Sequence, residues 1–188
     1  MRDFVTVVSG VPRSGTSLMM QMLAAGGLPL LVDEQRPPDE DNPHGYFEYA
    51  PVKASARDVG WWGGAAGRAV KVVHALLRHL PESGELRIVL MDRDLGEVLR
   101  SQRAMLERAG GASEAEDEMA LARVFEAQLD EARAWAVARP RTALLPVAHR
   151  RLIESPAEVV SRIQAFLGGG LDGSAMVACV DPDLVRSR

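Results

Sequence analysis

The chain has 188 residues, with 22 Lys and Arg against 26 Asp and Glu, for a formal net charge of −4. This acidic balance excludes nucleic-acid binding through bulk charge. Its one cysteine, Cys179, excludes a disulfide framework and a cysteine-rich zinc site. The composition, 47% hydrophobic and 26% charged, is that of a soluble protein able to bury a proper core, so one domain over 1–188 is expected.

The elements alternate along the chain. Phe4–Val8 reads as a buried strand, β-branched and ended by glycine. Thr16–Ala25 reads as a helix stopped by Gly26-Gly27. Leu28–Val32 is a candidate short strand, followed by an acid- and proline-rich loop from Asp33 to Gly45. Glu48–Asp58 is expected to be a helix, and Gly60–Gly67, with Trp61 and Trp62, is irregular. Ala69–Val73 and Arg87–Met91 are strands, the second apolar enough to be buried on both faces. Asp94–Arg108 and Glu114–Ala138 are amphipathic helices; the second places Leu121, Phe125, Leu129, Ala132 and Ala136 at helical spacing. Thr142–Val147 is a strand, Pro156–Leu167 a helix, and Leu171–Arg188 a short helix and coil. Such alternation predicts an α/β fold of three layers, a mostly parallel central sheet with helices on both faces. No apolar run is long enough to cross a membrane, and the N-terminus lacks the h-region of a secretory signal. A cytoplasmic location is therefore expected, with neither membrane nor nucleic acid as a partner. The long Glu114–Ala138 helix leaves a homodimer seam open.

The most informative segment is Gly10-Val11-Pro12-Arg13-Ser14-Gly15-Thr16-Ser17. It follows a hydrophobic strand and opens a helix, the setting of a phosphate-binding loop. Its glycines let backbone approach an anion, the helix N-terminus supplies N–H groups, and Thr16 and Ser17 add hydroxyls. The spacing is that of a nucleoside triphosphatase loop, but Thr16 stands where the phosphate-binding lysine belongs. The cation is Arg13, inside the loop.

Pro12-Arg13-Ser14-Gly15-Thr16-Ser17 resembles the 5′-phosphosulfate loop of sulfotransferases that use 3′-phosphoadenosine 5′-phosphosulfate (PAPS), and the Gly-Val-Pro-Arg-Ser-Gly-Thr form is similar to that of the tyrosylprotein sulfotransferases. A second motif of that family, a strand followed by Arg and then by Ser eight residues on, is matched by Ile88–Met91, Arg93 and Ser101. Asp41-Asn42-Pro43-His44-Gly45-Tyr46-Phe47-Glu48 resembles the Asn-Pro-x-Gly-Tyr-x-Glu segment of bacterial sulfotransferase-like proteins. Leu152–Leu167 and the ending Val180–Arg186 also resemble that group. One departure is His149-Arg150-Arg151, where the family often carries Tyr-Glu-Asp.

The resemblance implies PAPS as co-substrate, held by Pro12, Arg13, Ser14, Gly15, Thr16, Ser17, Arg93 and Ser101, with Arg186 a further candidate for the 3′-phosphate. It implies a small-molecule or peptide acceptor and no metal. Arg13 and Lys71 are the candidate cations for charge growing on the leaving phosphate. Four side chains compete as general base: Glu48 first, then Asp33, Glu34 and His74, which lies one residue out of register with the catalytic histidine of cytosolic sulfotransferases. Two other readings stay open. One is a phosphotransferase or triphosphatase, with Asp92 as its magnesium ligand. The other is a nucleotide-binding protein without catalysis.

Overall fold

The computed structural model describes residues 3–33, 35–39, 42–108 and 118–181. Four strands form one parallel sheet: β1 (Phe4–Ser9), β2 (Ala69–Lys71), β3 (Glu85–Asp92) and β4 (Thr142–Ala148), in the order β2-β1-β3-β4. All six residues of β1 are buried, as a central strand covered on both faces requires. The two-residue period divides its side chains. Phe4 and Val8 face one core, with Val89 and Met91 of β3; Val5 and Val7 face the other, with Leu86, Ile88 and Leu90.

The first core is closed by α1 (Thr16–Ala25), α4 (His149–Glu154), α5 (Pro156–Phe166) and α6 (Gly173–Ala178), through Met19, Leu23, Leu152, Ile163 and Met176. The second is closed by α2 (Leu95–Arg108) and α3 (Glu118–Ala138), through Val98, Leu129, Ala132 and Ala136. The helix α1 ends as expected at Gly26-Gly27: Gly27 has φ +87°, and Leu28 N donates to Leu23 O at 2.9 Å, so the glycine takes the left-handed turn that ends the helix.

Two expected elements differ. Leu28–Val32 makes only a single bridge, Leu30 to Ala69, rather than a strand. Glu48–Asp58 is not an α-helix; a 3-10 turn spans Ala50–Ala54. The cause is local. Asp33 N donates to Glu48 O at 2.9 Å, and Asp33 Oδ2 accepts from Ala50 N at 2.5 Å. Tyr49 is thereby held extended, at φ −131° and ψ 109°. Glu48 thus precedes the turn and is presented sideways.

In this strand order the chain passes from β1 outward to β2 on one side and to β3 and β4 on the other. The crevice at the C-terminal end of β1 is therefore the switch point at which parallel α/β sheets take ligands. Everything that follows lies there.

Candidate functional site

At that crevice the turn from Ser9 into α1 has an unusual backbone. Gly10, Arg13 and Gly15 all have positive φ, at 153°, 72° and 95°. Only the middle one carries a side chain, and a non-glycine residue in the left-handed region marks local strain. A methyl group at Gly10 would stand 2.4 Å from Ser14 Oγ and 2.9 Å from Met91 O; one at Gly15 would stand 2.6 Å from His149 Cδ2. Both glycines are therefore fixed by crowding as well as by φ. The loop closes over a concave backbone whose first-turn amides have no intrahelical acceptor. Ser14 Oγ is fully buried beneath it with no hydrogen-bond partner among the described residues.

The second motif meets this loop. Arg93, just past β3, donates from Nη1 to Arg13 O at 3.0 Å and from Nε to Glu97 Oε2 at 3.0 Å. Its side chain is only 11% exposed, so this is a held guanidinium rather than a solvated one. Arg13 Nε in turn donates to Ser101 Oγ on α2 at 3.0 Å, and Gln102 Nε2 donates to Pro12 O at 3.2 Å. Residues 80 to 90 positions apart thus form one hydrogen-bonded unit.

The other wall is built by β2 and by Arg36, Asn42, Tyr46 and Glu48. Lys71 Nζ donates to Ser17 Oγ at 2.9 Å, and Asn42 Nδ2 donates to the same oxygen at 2.9 Å. Burial lowers Lys71 to about 8, with the Glu48 carboxylate working against that shift and Arg36 adding to it. Glu48 is bonded on both oxygens, Oε1 to Arg36 Nη1 and Oε2 to Lys53 Nζ, each at 3.0 Å. Burial alone would raise its carboxyl. The Lys53 hydrogen bond and charge, with Lys71 and Arg36, outweigh burial and hold it below the ordinary glutamate value. The Arg36 guanidinium also lies 3.3 Å over the Tyr46 ring.

These groups enclose a cavity of about 330 Å³. The cavity gathers Pro12, Arg13, Gly15, Thr16, Ser17, Glu48, Lys71 and Arg93 of the residues singled out in the sequence. Ser14 lies beneath it and Ser101 behind Arg13. Asp33 and His74 are placed elsewhere. The Asp33 carboxylate accepts from Gln35 N and Ala50 N, shaping the loop. His74 is 4% exposed, with Nδ1 3.2 Å from Gly10 O and Nε2 2.8 Å from Gln128 Oε1. Neither lines the cavity. Glu34 and Arg186 lie outside the described residues. Trp61 and Trp62 pack edge to face and donate to Ser55 Oγ and Ser83 O, away from the cavity.

Sequence reasoning did not assign Arg36, Asn42, Tyr46 or His149 to the site. Asn42 and Tyr46 sit within the segment that drew attention to Glu48, so a signal was present. Arg36 carried none. His149 showed only as a departure from a family pattern, yet it packs on Gly15; burial lowers its imidazole to about 4, the Arg93 charge adds to that, and Glu97 opposes it.

Chemically, the wall is rich in donors and cations, and its one carboxylate among the described residues, Glu48, is already bonded to cations on both oxygens. That set fits anionic oxygens. Among the described residues no cluster of His, Cys, Asp or Glu has the arrangement to hold a metal ion, and no helix is long and apolar enough to cross a membrane.

No protein-family model matches the chain, and no curated protein matches it in sequence. Among solved structures it is similar to the sulfotransferase domain of the olefin synthase from Synechococcus PCC 7002, at 15% identity and a TM-score of 0.53, over 100% of this chain and 84% of that one. It is similar to the sulfotransferase domain of the curacin biosynthetic pathway, at 12% identity and a TM-score of 0.54, over 94% of this chain and 77% of that one. A third similar structure is retinol dehydratase in complex with androsterone and the inactive cofactor PAP, at 16% identity and a TM-score of 0.50, over 96% of this chain and 64% of that one. At these identities the likeness is one of fold, and the fold is that of sulfotransferase domains.

Proposed function

We propose that the protein is a sulfotransferase that moves a sulfuryl group from PAPS to a hydroxyl or amine of a small-molecule or peptide acceptor. The observation that carries this reading is the junction at Arg13, whose carbonyl accepts from Arg93 and whose side chain donates to Ser101. Two motifs from distant parts of the chain, each resembling one phosphate site of PAPS-dependent enzymes, thereby form adjoining parts of one anion-binding wall.

In the proposed reaction an acceptor oxygen or nitrogen forms a bond to sulfur as the bond from sulfur to the 5′-phosphate oxygen breaks. The electron pair stays on the phosphate oxygen. Arg13, Lys71 and the amides at the start of α1 stabilise the charge that grows there. The acceptor proton passes to Glu48, the one carboxylate among the described residues that lines the cavity. Its lowered pKa keeps it ionised at neutral pH and makes it a weak base. By analogy with phosphoryl transfer the transition state is loose, with little bonding to the acceptor, so a weak base is sufficient.

The phosphoryl-transfer reading loses its main support. Asp92 is paired with Arg133 of α3 at 3.4 Å and does not line the cavity, and no loop lysine replaces the one missing at Thr16.

The test is calorimetry with 3′-phosphoadenosine 5′-phosphate (PAP) in the absence of magnesium, against ATP with magnesium. The reading expects PAP to bind, and Arg13→Ala and Arg93→Ala each to weaken it by about tenfold or more, the scale of a lost charge-assisted hydrogen bond. Preference for magnesium-ATP, or indifference to Arg93, overturns it. Transfer of sulfate from PAPS to any member of a panel of phenols, alcohols and amines separates an enzyme from a binding protein.

A further inference from the structure

The segment 42–48 contributes Glu48 to the reading above, and the rest of its motif has a structural account of its own. Asn42 N donates to Asp39 Oδ1 at 3.0 Å, and Gly45 N donates to Asn42 O at 2.9 Å, closing a tight turn through Pro43, with Gly45 at φ +93°. Tyr46 OH donates to the same Asp39 carboxylate, at 2.7 and 2.8 Å from its oxygens. One acid therefore holds both ends of the turn. From this turn Asn42 and Tyr46 line the cavity, and the Asn42 side chain reaches Ser17 there.

Asn42 Nδ2 and Lys71 Nζ converge on Ser17 Oγ, each at 2.9 Å. With two donors on it, the serine oxygen has its lone pairs occupied. The amide keeps one further N–H and the ammonium keeps two. These remaining protons belong to cavity-lining groups beside the helix N-terminus, and no acceptor among the described residues takes them. Two elements distant in sequence thus offer convergent donors to one position, the arrangement that binds an anionic oxygen.

We propose that Asn42 and Lys71 together bind the terminal oxygens of the group being transferred, with Asn42 as a catalytic residue delivered by the 42–46 turn. This rests on the sulfuryl-transfer reading and goes beyond it by assigning the sulfuryl oxygens, rather than the nucleotide, to the 42–46 turn. Its consequence is a split between two ligands. PAP lacks the sulfuryl group, so Asn42 contributes nothing to PAP binding and contributes fully to PAPS binding.

The experiment measures equilibrium affinities of wild type, Asn42→Ala and Asn42→Asp for PAP and for PAPS, at low temperature and without acceptor. Asn42→Asp preserves the size of the side chain and its reach to Ser17 while replacing the donor by an anion, so it separates donation from mere folding of the turn. The expected result is PAP affinity within about twofold of wild type for the alanine, and for the aspartate, whose carboxylate repels both anions, a smaller loss for PAP than for PAPS. PAPS affinity falls about tenfold for the alanine and further for the aspartate, as for a hydrogen bond to a charged group. Equal losses for the two ligands, or no loss for either, overturn the assignment while wild-type PAP binding leaves the sulfotransferase reading standing. Failure of wild type to bind PAP overturns both.

Discussion

Lys71 Nζ stands 2.9 Å from Ser17 Oγ at the end of a strand whose other residues are fully buried. A hydroxyl is a poor counterion, and burial takes the lysine down to about 8. The sign follows from proton counting. The unfolded chain has the ordinary lysine value of 10.5, so between about 8 and 10.5 it binds more protons than the folded protein, and stability rises with pH across that window. Below about 8 the folded protein carries the full cost of a buried charge, on the order of 3 kcal/mol at most.

Lys71→Met is therefore expected to stabilise the unliganded protein by about 1–3 kcal/mol, raising Tm by about 2–4 °C per kcal/mol in a domain of this size. It is also expected to abolish the rise in stability between pH 8 and 10.5. The same variant should lose PAPS affinity and turnover. A thermal melt series across that pH range checks the first part. An unchanged or lower Tm would mean that the lysine is not held against its charge, and the site would lose its stability–function conflict.

The turn from Gly10 to Ser17 was legible because its signals are local. A strand, a glycine turn and a helix start adjoin in sequence, and Arg13, Thr16 and Ser17 occupy fixed offsets within them. Arg93 and Ser101 were legible for the same reason, one at a strand end and one on the following helix. What joins the two motifs is tertiary. No spacing rule tells Arg13 to reach Ser101 88 positions away. The candidate bases show the limit more sharply. Asp33 and Glu48 both looked like acids near the site, and the backbone bond between them decides their roles: it draws the Asp33 carboxylate onto Ala50 N and leaves Glu48 to face the cavity.

His74 bonds the loop backbone and does not line the cavity. Gly10 O can only accept, so the His74 Nδ1 at 3.2 Å carries a proton and donates to it, and His74 N adds a second bond at 3.3 Å. The ring is a brace between the Gly10–Ser17 turn and Gln128 of α3. His74→Leu should weaken PAP binding about fivefold or more, through a loop left with an unsatisfied carbonyl. His74→Asn, which retains a donor in reach of Gly10 O, should recover most of it. Loss of turnover in both variants with PAP affinity intact would instead make the ring a participant in the chemistry.

Gly15→Ala meets two obstacles at once. The position has φ +95°, and the added methyl would lie 2.6 Å from His149 Cδ2. Backbone strain of this kind costs about 1–3 kcal/mol, and the imidazole must also give way. The expected outcome is a Tm lower by several degrees together with lost PAP binding. Gly15→Ala in a His149→Ala background should recover part of the Tm and little of the binding, because the steric term is removed and the strained loop remains. Full recovery of both would assign the whole effect to crowding.

His149 itself predicts an acid-side effect. Burial, then the Arg93 charge, lower its imidazole from 6.5 to about 4, against the pull of Glu97. The unfolded chain binds the proton first on acidification, so between about 6.5 and 4 it holds more protons than the folded protein. Stability contributed by the neutral ring is full above 6.5 and is lost as pH falls toward 4, by up to roughly 3 kcal/mol. Denaturant titrations at pH 7.5, 5.5 and 4.5 should show this loss, and His149→Gln should flatten it between 6.5 and 4. The groups facing the ring fix the sign of a second effect. An anion bound beside Arg93 offsets the guanidinium charge, so saturating PAP should raise the imidazole value toward 6.5, narrow the window of loss and make the acid-side fall in stability smaller in the liganded protein. An imidazole resonance that titrates near 6.5 in the free protein would show instead that the ring is solvated, and would separate it from Gly15 and Arg93.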